Sequence, residues 1–194
     1  MSRKDDYTPE RMADRAQMQD VMLRWCRAVD RRDADSVRDL FHPDATDDHG
    51  VFQGGVDALI AWLKERHKTI PSSNHTVGNM LIEFTGKDSA IMESYCICIQ
   101  RYPADAQASL TQLSGGVTAA AAQSVDLFVI ARYLDMFERR ADGEWRIARR
   151  TVLFDSTMMY DVSANAPKLD PKWALGRRDQ DDHVFKERRA AGLK

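Results

Sequence analysis

Long apolar runs are missing from this chain: none approaches the ~18 residues of a membrane-spanning helix. Excess positive charge is missing too. Lys and Arg number 28 against 30 Asp and Glu, a formal net charge of −2 with a pI near 6.2, so the basic footprint of a nucleic-acid binder is lacking. Cysteine is scarce, and its three copies (Cys26, Cys96, Cys98) are an odd number that cannot close a disulfide framework. The opening residues, Met1 to Asp6, lack the apolar stretch of a signal peptide. The expectation is a cytoplasmic protein with neither a membrane nor a nucleic-acid partner. Glycine-rich phosphate loops (GxGxxG, GxxxxGK[ST]) are absent, as are the metal spacings HxxxH, HxH and CxxC. No cofactor and no metal are expected.

What is present suits one globular domain with a remainder. The 194 residues are 43% apolar and 30% charged, and a chain of this length hides roughly 70% of its unfolded surface without disulfide staples. Thr8-Pro9-Glu10 is a helix start: a hydroxyl cap, proline in the first turn and an acid at the positive end of the dipole. Met18, Met22, Trp25, Cys26 and Val29 then form one apolar stripe. Asp33 can cap a short second helix from Ala34 to Leu40 that Pro43 stops, and Val56, Leu59, Ile60 and Leu63 mark a third, running to about His67. Ala45 to Phe52 reads as a short strand, and Pro71 to Asn74 as loop. Thr76 to Phe84, Ala90 to Tyr102, Val125 to Arg139 and Trp145 to Met158 read as long strands, expected to curl around a pocket. Helices followed by a strand meander define an α+β order.

Two segments stand outside this pattern. Residues 103–123 are rich in Ala, Gln, Ser and Gly with little periodicity, which predicts a lid, an interface arm or disorder. Residues 164–194 carry Pro167, Pro171 and dense mixed charge, and cannot build a core alone. Beyond a domain spanning 1–163, this tail is expected to be extended or packed on a neighbouring subunit.

Asp30 is the most informative single residue. It lies on the inward edge of the first helix and at its C-terminus, where the dipole disfavours an anion by roughly 0.3–1 kcal/mol. The plain alternative is a solvated turn residue beside Arg31 and Arg32. His75 stands at a loop-to-strand junction, where a neutral imidazole can take a proton near pH 7 or serve as a structural hydrogen-bonder. Three polar residues in a row, Asp47-Asp48-His49, do not fit a half-buried strand, so one or two should enter a cavity. Of the adjacent Arg149 and Arg150, one must face inward, to steady developing negative charge or to pair with Asp135 or Glu138. Nine methionines and the aromatic residues suit both a core and a pocket for a bulky apolar ligand.

The order of several short segments resembles a known family: Trp25-Cys26-Arg27-Ala28-Val29-Asp30, His42-Pro43-Asp44-Ala45, Phe52-Gln53-Gly54, His75 before a strand, and Arg132 to Arg140 leading to Gly143-Glu144-Trp145. Over roughly residues 12 to 160 the chain resembles the SnoaL-like branch of the nuclear-transport-factor-two-like superfamily. The resemblance implies a cone-shaped curved antiparallel sheet wrapped around N-terminal helices, enclosing an apolar pocket. It further implies a cofactor-independent lyase, a homotrimer or homodimer, acting on a small hydrophobic or aromatic substrate with loss of water or formaldehyde. Asp30 and His75 match the family's Asp–His pair, and Arg150 matches an arginine of its last strand. Where relatives carry Lys or Tyr on the first helix, this chain has Trp25, whose indole can donate one hydrogen bond but no proton. Trp25, Asp48, His49, Tyr95, Tyr133 and Phe154 are the expected substrate contacts. A proton-transfer isomerase and a non-catalytic ligand-binding cone remain open alternatives.

Overall fold

The computed structural model describes residues 6–120 and 123–193. The expectation for residues 1–5, and parts of those for 103–123 and 164–194, fall outside them. Helix α1 (Pro9–Arg31) starts as its sequence dictates: the Thr8 hydroxyl accepts from the Arg11 backbone N–H at 3.3 Å, with Pro9 in the first turn. Its buried face carries Met18, Met22, Trp25, Cys26, Val29 and also Asp30. It ends at Arg32, in the left-handed conformation (φ 57°). Helix α2 (Ala34–Arg38) is capped by Asp33, and α3 (Val56–Arg66) closes the helical layer.

Six strands make one curved, unclosed sheet: β1 (Phe41–Asp48), β2 (Gln53–Gly55), β3 (Ser72–Phe84), β4 (Ser89–Tyr102), β5 (Val125–Arg139) and β6 (Trp145–Asp161). The order is β2-β1-β6-β5-β4-β3. All neighbours are antiparallel except β1 and β6, which run parallel, so the sheet is mixed rather than wholly antiparallel. The core lies between the sheet's concave face and α1, with α3 closing one end.

Several boundaries differ from the sequence reading. Pro43 lies inside β1 rather than ending a helix; the ladder to β6 is irregular between Phe41 and Thr46, where a missing N–H costs no regular bond. Ser72 to Asn74 belong to β3, not to a loop, because they pair with Gln100 and its neighbours on β4. The segment after β4 is not structureless. A 3₁₀ turn (Ala104–Ala106) leads into α4 (Gln107–Leu113), and Ala106, Leu110 and Leu113, at i, i+4 and i+7, pack on the core. Intervening small and polar residues dilute that stripe.

The tail also folds on its own chain. Helix α5 (His183–Ala190) is capped by Asp182 and buries Phe185. Ahead of it, Arg178 donates to the carbonyls of Asp30 at 2.9 Å, Val29 at 3.0 Å and Ile70 at 2.7 Å. This is a C-cap for α1 supplied from almost 150 residues downstream.

A candidate active site between the helices and the concave sheet

A pocket with about 510 Å³ of free space, part of it continuous with solvent, opens between α1, α3, α4 and the sheet. Strand periodicity selects what enters it. On β3 the odd positions Ser73 and His75 face inward, and on β4 the even positions Cys96, Cys98 and Gln100 do. On β6 a bulge at Ala148 shifts the alternation. Ile147 pairs with Phe137 while Arg149 pairs with Met136, so Ile147 is followed inward by Arg150, Val152 and Phe154.

His75 and Asp30 meet. His75 Nδ1 lies 2.7 Å from Asp30 Oδ1, the His75 backbone N–H donates to Oδ2 at 2.8 Å, and Ser73 Oγ donates to Oδ1 at 2.8 Å. A carboxylate can only accept, so Nδ1 carries the proton and Nε2 is left for other chemistry. Burial alone would raise the Asp30 carboxyl, but the His75 and Ser73 bonds outweigh it and hold it below the usual carboxylate range. For His75, burial works downward; Cys98, its cross-strand partner, and Asp30 outweigh it and hold the imidazole well above the usual histidine range. The Arg178 cap at the end of α1 adds positive charge behind Asp30, where the helix dipole opposes an anion.

A second His–Asp pair faces the first. His49 Nδ1 bonds Asp47 Oδ1, and the His49 ring packs against Trp62, Trp25 and Tyr133, with ring centroids 5.5, 6.2 and 6.5 Å away. Asp47 is buried and Asp48 points outward, where it accepts from Gly50 N and Gln53 Nε2. Asp48 is therefore a turn residue, not a pocket contact. Burial pushes the Tyr133 hydroxyl well above the usual tyrosine range, so it stays protonated, a donor at the pocket wall. Trp25 and Phe154 line the pocket as expected, Phe154 half-exposed at its mouth. Tyr95 does not. It lies on the outer sheet face, 47% exposed, beside the Arg132 guanidinium.

Arg150 is not in the pocket wall either. Its Nε and Nη2 donate to Asp135 Oδ1 and Oδ2 at 2.7 and 2.8 Å, both side chains fully buried. Its guanidinium lies 4.4 Å from the ring centroids of both Trp25 and Tyr133, which stand between it and the cavity. Burial acts against the charge, but Asp135 outweighs it and keeps Arg150 protonated. The pairing alternative holds for this residue, and its charge is already neutralised.

The wall made by α3, β3 and β4 carries a polar network within an otherwise apolar pocket. Arg66 Nη2 donates to Gln100 Oε1 at 3.1 Å, Gln100 Nε2 to Ser73 Oγ at 3.2 Å, and Ser73 to Asp30, a continuous chain into the dyad. Beside it, His67 Nδ1 accepts from Arg178 Nη2 at 2.9 Å; burial and that cation hold His67 well below the usual range, hence neutral. Asp47 belongs to the polar run expected to enter a cavity; Trp62, Arg66, His67, Ser73 and Gln100 were not singled out from sequence. A usable signal existed for three of them: Ser73 lies two residues from His75, Gln100 breaks the Cys96–Cys98 face, and Arg66 follows Trp62 by one helical turn. A second hollow of about 300 Å³ between α1, α2 and α3 shares Val29, Leu63 and His67 with the pocket but contains neither Asp30 nor His75. Among the described residues no cluster of three or more His, Cys, Asp or Glu could hold a metal ion, and no helix is long and apolar enough to cross a membrane.

Residues 10–151 match the family model of the SnoaL-like domain. An uncharacterized protein of Mycobacterium tuberculosis is 28% identical over 143 residues, covering 72% of this chain and 84% of that relative. Among solved structures, a Novosphingobium aromaticivorans protein provisionally described as a scytalone dehydratase superposes with a TM-score of 0.61 at 20% identity, over 79% of this chain and 91% of that one. A type 3 hexachlorocyclohexane dehydrochlorinase from Novosphingobium barchaimii also gives 0.61 at 20% identity, over 83% and 97%. At such identities these likenesses establish the shared fold.

Proposed function

The chain belongs to the SnoaL-like domain family, and from that premise we propose that it is a cofactor-independent lyase working by general acid/base catalysis. Its substrate is a hydroxylated hydrophobic molecule, of the lignin-derived diarylpropane type or polycyclic, and a small neutral fragment leaves. One observation carries the reading: the 2.7 Å bond that fixes His75 Nδ1 on Asp30 within a pocket-lining side chain. The aromatic side chains Trp25, Trp62, Tyr133 and Phe154 in the same pocket suit an aromatic ring. The dehydrochlorinase and the scytalone dehydratase with this fold are named for eliminations, which agrees with the reading.

For loss of water, His75 Nε2 takes the proton from the carbon next to the hydroxyl-bearing one. The C–H electron pair becomes the new π bond, the C–O bond breaks, and the leaving oxygen takes a proton from His49 while the Tyr133 hydroxyl donates to it. For loss of formaldehyde, His75 takes the O–H proton of a hydroxymethyl group. The C–C bond then breaks, its pair forms the alkene, and a benzylic hydroxyl departs as water with the His49 proton. Both routes use one base and one acid, and each histidine is held by its own aspartate. Arg150 takes no part in this scheme. The same reading makes the protein a homotrimer or homodimer in the cytoplasm.

Mass spectrometry of wild type and His75→Ala against hydroxylated diarylpropanes, phenolic dimers and hydroxysteroids tests the proposal. Wild type loses water, or formaldehyde together with water, from a panel member, and His75→Ala is slower by about two to four orders of magnitude. Turnover that survives His75→Ala nearly intact refutes the assignment of the base. An unchanged mass carrying solvent deuterium assigns the dyad to isomerisation instead.

A further inference from the structure

Three arginines are buried among the described residues: Arg11, Arg66 and Arg150. Arg11 pairs with Asp14 and Arg150 with Asp135. Arg66, only 3% exposed, has no carboxylate partner among the described residues. Its acceptors are all neutral: the Ser109 carbonyl, Gln100 Oε1, the Tyr102 hydroxyl and, at 3.4 Å, Gln112 Oε1. Tyr102 cannot serve as a counter-ion, since burial pushes its hydroxyl up to about 12. A desolvated cation without an anion is costly, several kcal/mol in general, and here the cost falls at the wall of the His75 pocket. Arg178 brings a second cation to the same wall through His67, while Asp30 is the one carboxylate tied into the network. The wall is thus electropositive and short of negative charge.

We infer that this charge comes from the ligand: the pocket binds a carboxylated aromatic or polycyclic molecule whose carboxylate is received by Arg66. The guanidinium fork suits a carboxylate. The group it displaces is Gln112, on α4 and at the limit of hydrogen-bond distance, so carboxylate entry exchanges one weak neutral contact for a charge-assisted one. The ring then lies toward Trp62, one helical turn before Arg66. This inference rests on the reading of the pocket as a substrate site and narrows its substrate to an anion. Arg66 acts in it as a specificity-determining residue, not as a proton donor or acceptor.

Calorimetric titration of the full chain with 2-naphthoate and its neutral isostere 2-naphthamide tests the charge without needing the true substrate. Wild type binds the carboxylate about ten- to a hundredfold tighter than the amide. Arg66→Gln abolishes that preference, and Arg66→Lys, which keeps charge but loses the fork, retains part of it. Should Arg66→Gln fail to fold, the wild-type pair and Arg66→Lys still decide. Equal affinity of the two probes for wild type, no binding of naphthoate up to about 10 mM, or a preference that survives Arg66→Gln each overturns the inference. His75→Ala keeps the preference while losing turnover, so failure of the lyase reading and failure of the anion site give different results.

Discussion

Asp30 occupies the last turn of a helix, on its buried side, a position that is unfavourable to a carboxylate on both counts. Four contacts offset this: the His75 imidazole, the His75 backbone N–H, the Ser73 hydroxyl and the Arg178 cap on the carbonyls next to it. Arg150 shows the opposite arrangement, a buried cation paired with Asp135 and shut away behind Trp25 and Tyr133. Arg150→Met therefore strands the Asp135 charge and lowers stability by about 3–5 kcal/mol, whereas Arg150→Met with Asp135→Leu recovers most of it. Chemical denaturation of the two variants checks this, and a double variant no more stable than the single one speaks against the pair as described. Asp30 was legible in the sequence because it breaks the pattern of its helix, whereas His75 was noticed by its place at the start of a strand-rich stretch and paired with Asp30 through the family resemblance. Gln100 and Arg66 were less legible, since their chemistry arises only when separate elements converge on one wall. Asp48 and Tyr95 were misassigned for a simpler reason: alternation puts them on the outward side of their strands.

At the scale of elements, single irregularities decide what the pocket contains. The bulge at Ala148 turns Arg150 rather than Arg149 inward, and an unbroken alternation through Trp145 and Ile147 would do the reverse. Such a bulge leaves no mark in local composition, whereas the cap and stripe of α1 and the long strands β4 and β5 were readable from periodicity alone. Helix α4 and the tail were hidden because their anchors, Leu110 and Arg178, are isolated among small or charged neighbours. Arg178 spends its guanidinium on three carbonyls and His67, and burial lowers it to about 10. Arg178→Ala, or truncation after residue 175, is expected to cost about 2 kcal/mol and lower the melting temperature by several degrees. Calorimetry reads this directly, and an unchanged melting temperature in both proteins contradicts the tail's role as cap.

The whole molecule presents one face that its own chain leaves uncovered. On the convex side of the sheet Ile97, Ile130 and Ser156 form one cross-strand row and Ile99, Phe128 and Met158 the next, with Tyr95, Ile97, Met158 and Tyr160 substantially exposed. Apolar surface of this kind favours association, and it is the face through which we propose that the homotrimer or homodimer closes. Light scattering after gel filtration should give two or three times 22.1 kDa, and Ile97→Glu should shift the mass toward one protomer. A wild-type protein that runs as a single protomer contradicts that assembly. The concave side holds the chemistry, and there everything turns on the state of one imidazole. A base must be neutral to act, so with His75 held above its ordinary range kcat/KM should climb as pH rises through an ionisation above 6.5. The most direct test needs no substrate: titrate His75 by NMR in protein carrying ¹⁵N-labelled histidine, in wild type and in Asp30→Asn. The dyad predicts a wild-type midpoint above 6.5 with the proton on Nδ1, and a lower midpoint once the carboxylate is gone and Cys98 alone is left to oppose burial. The same midpoint in both proteins would mean that Asp30 does not govern His75, and the proposed base would lose its foundation.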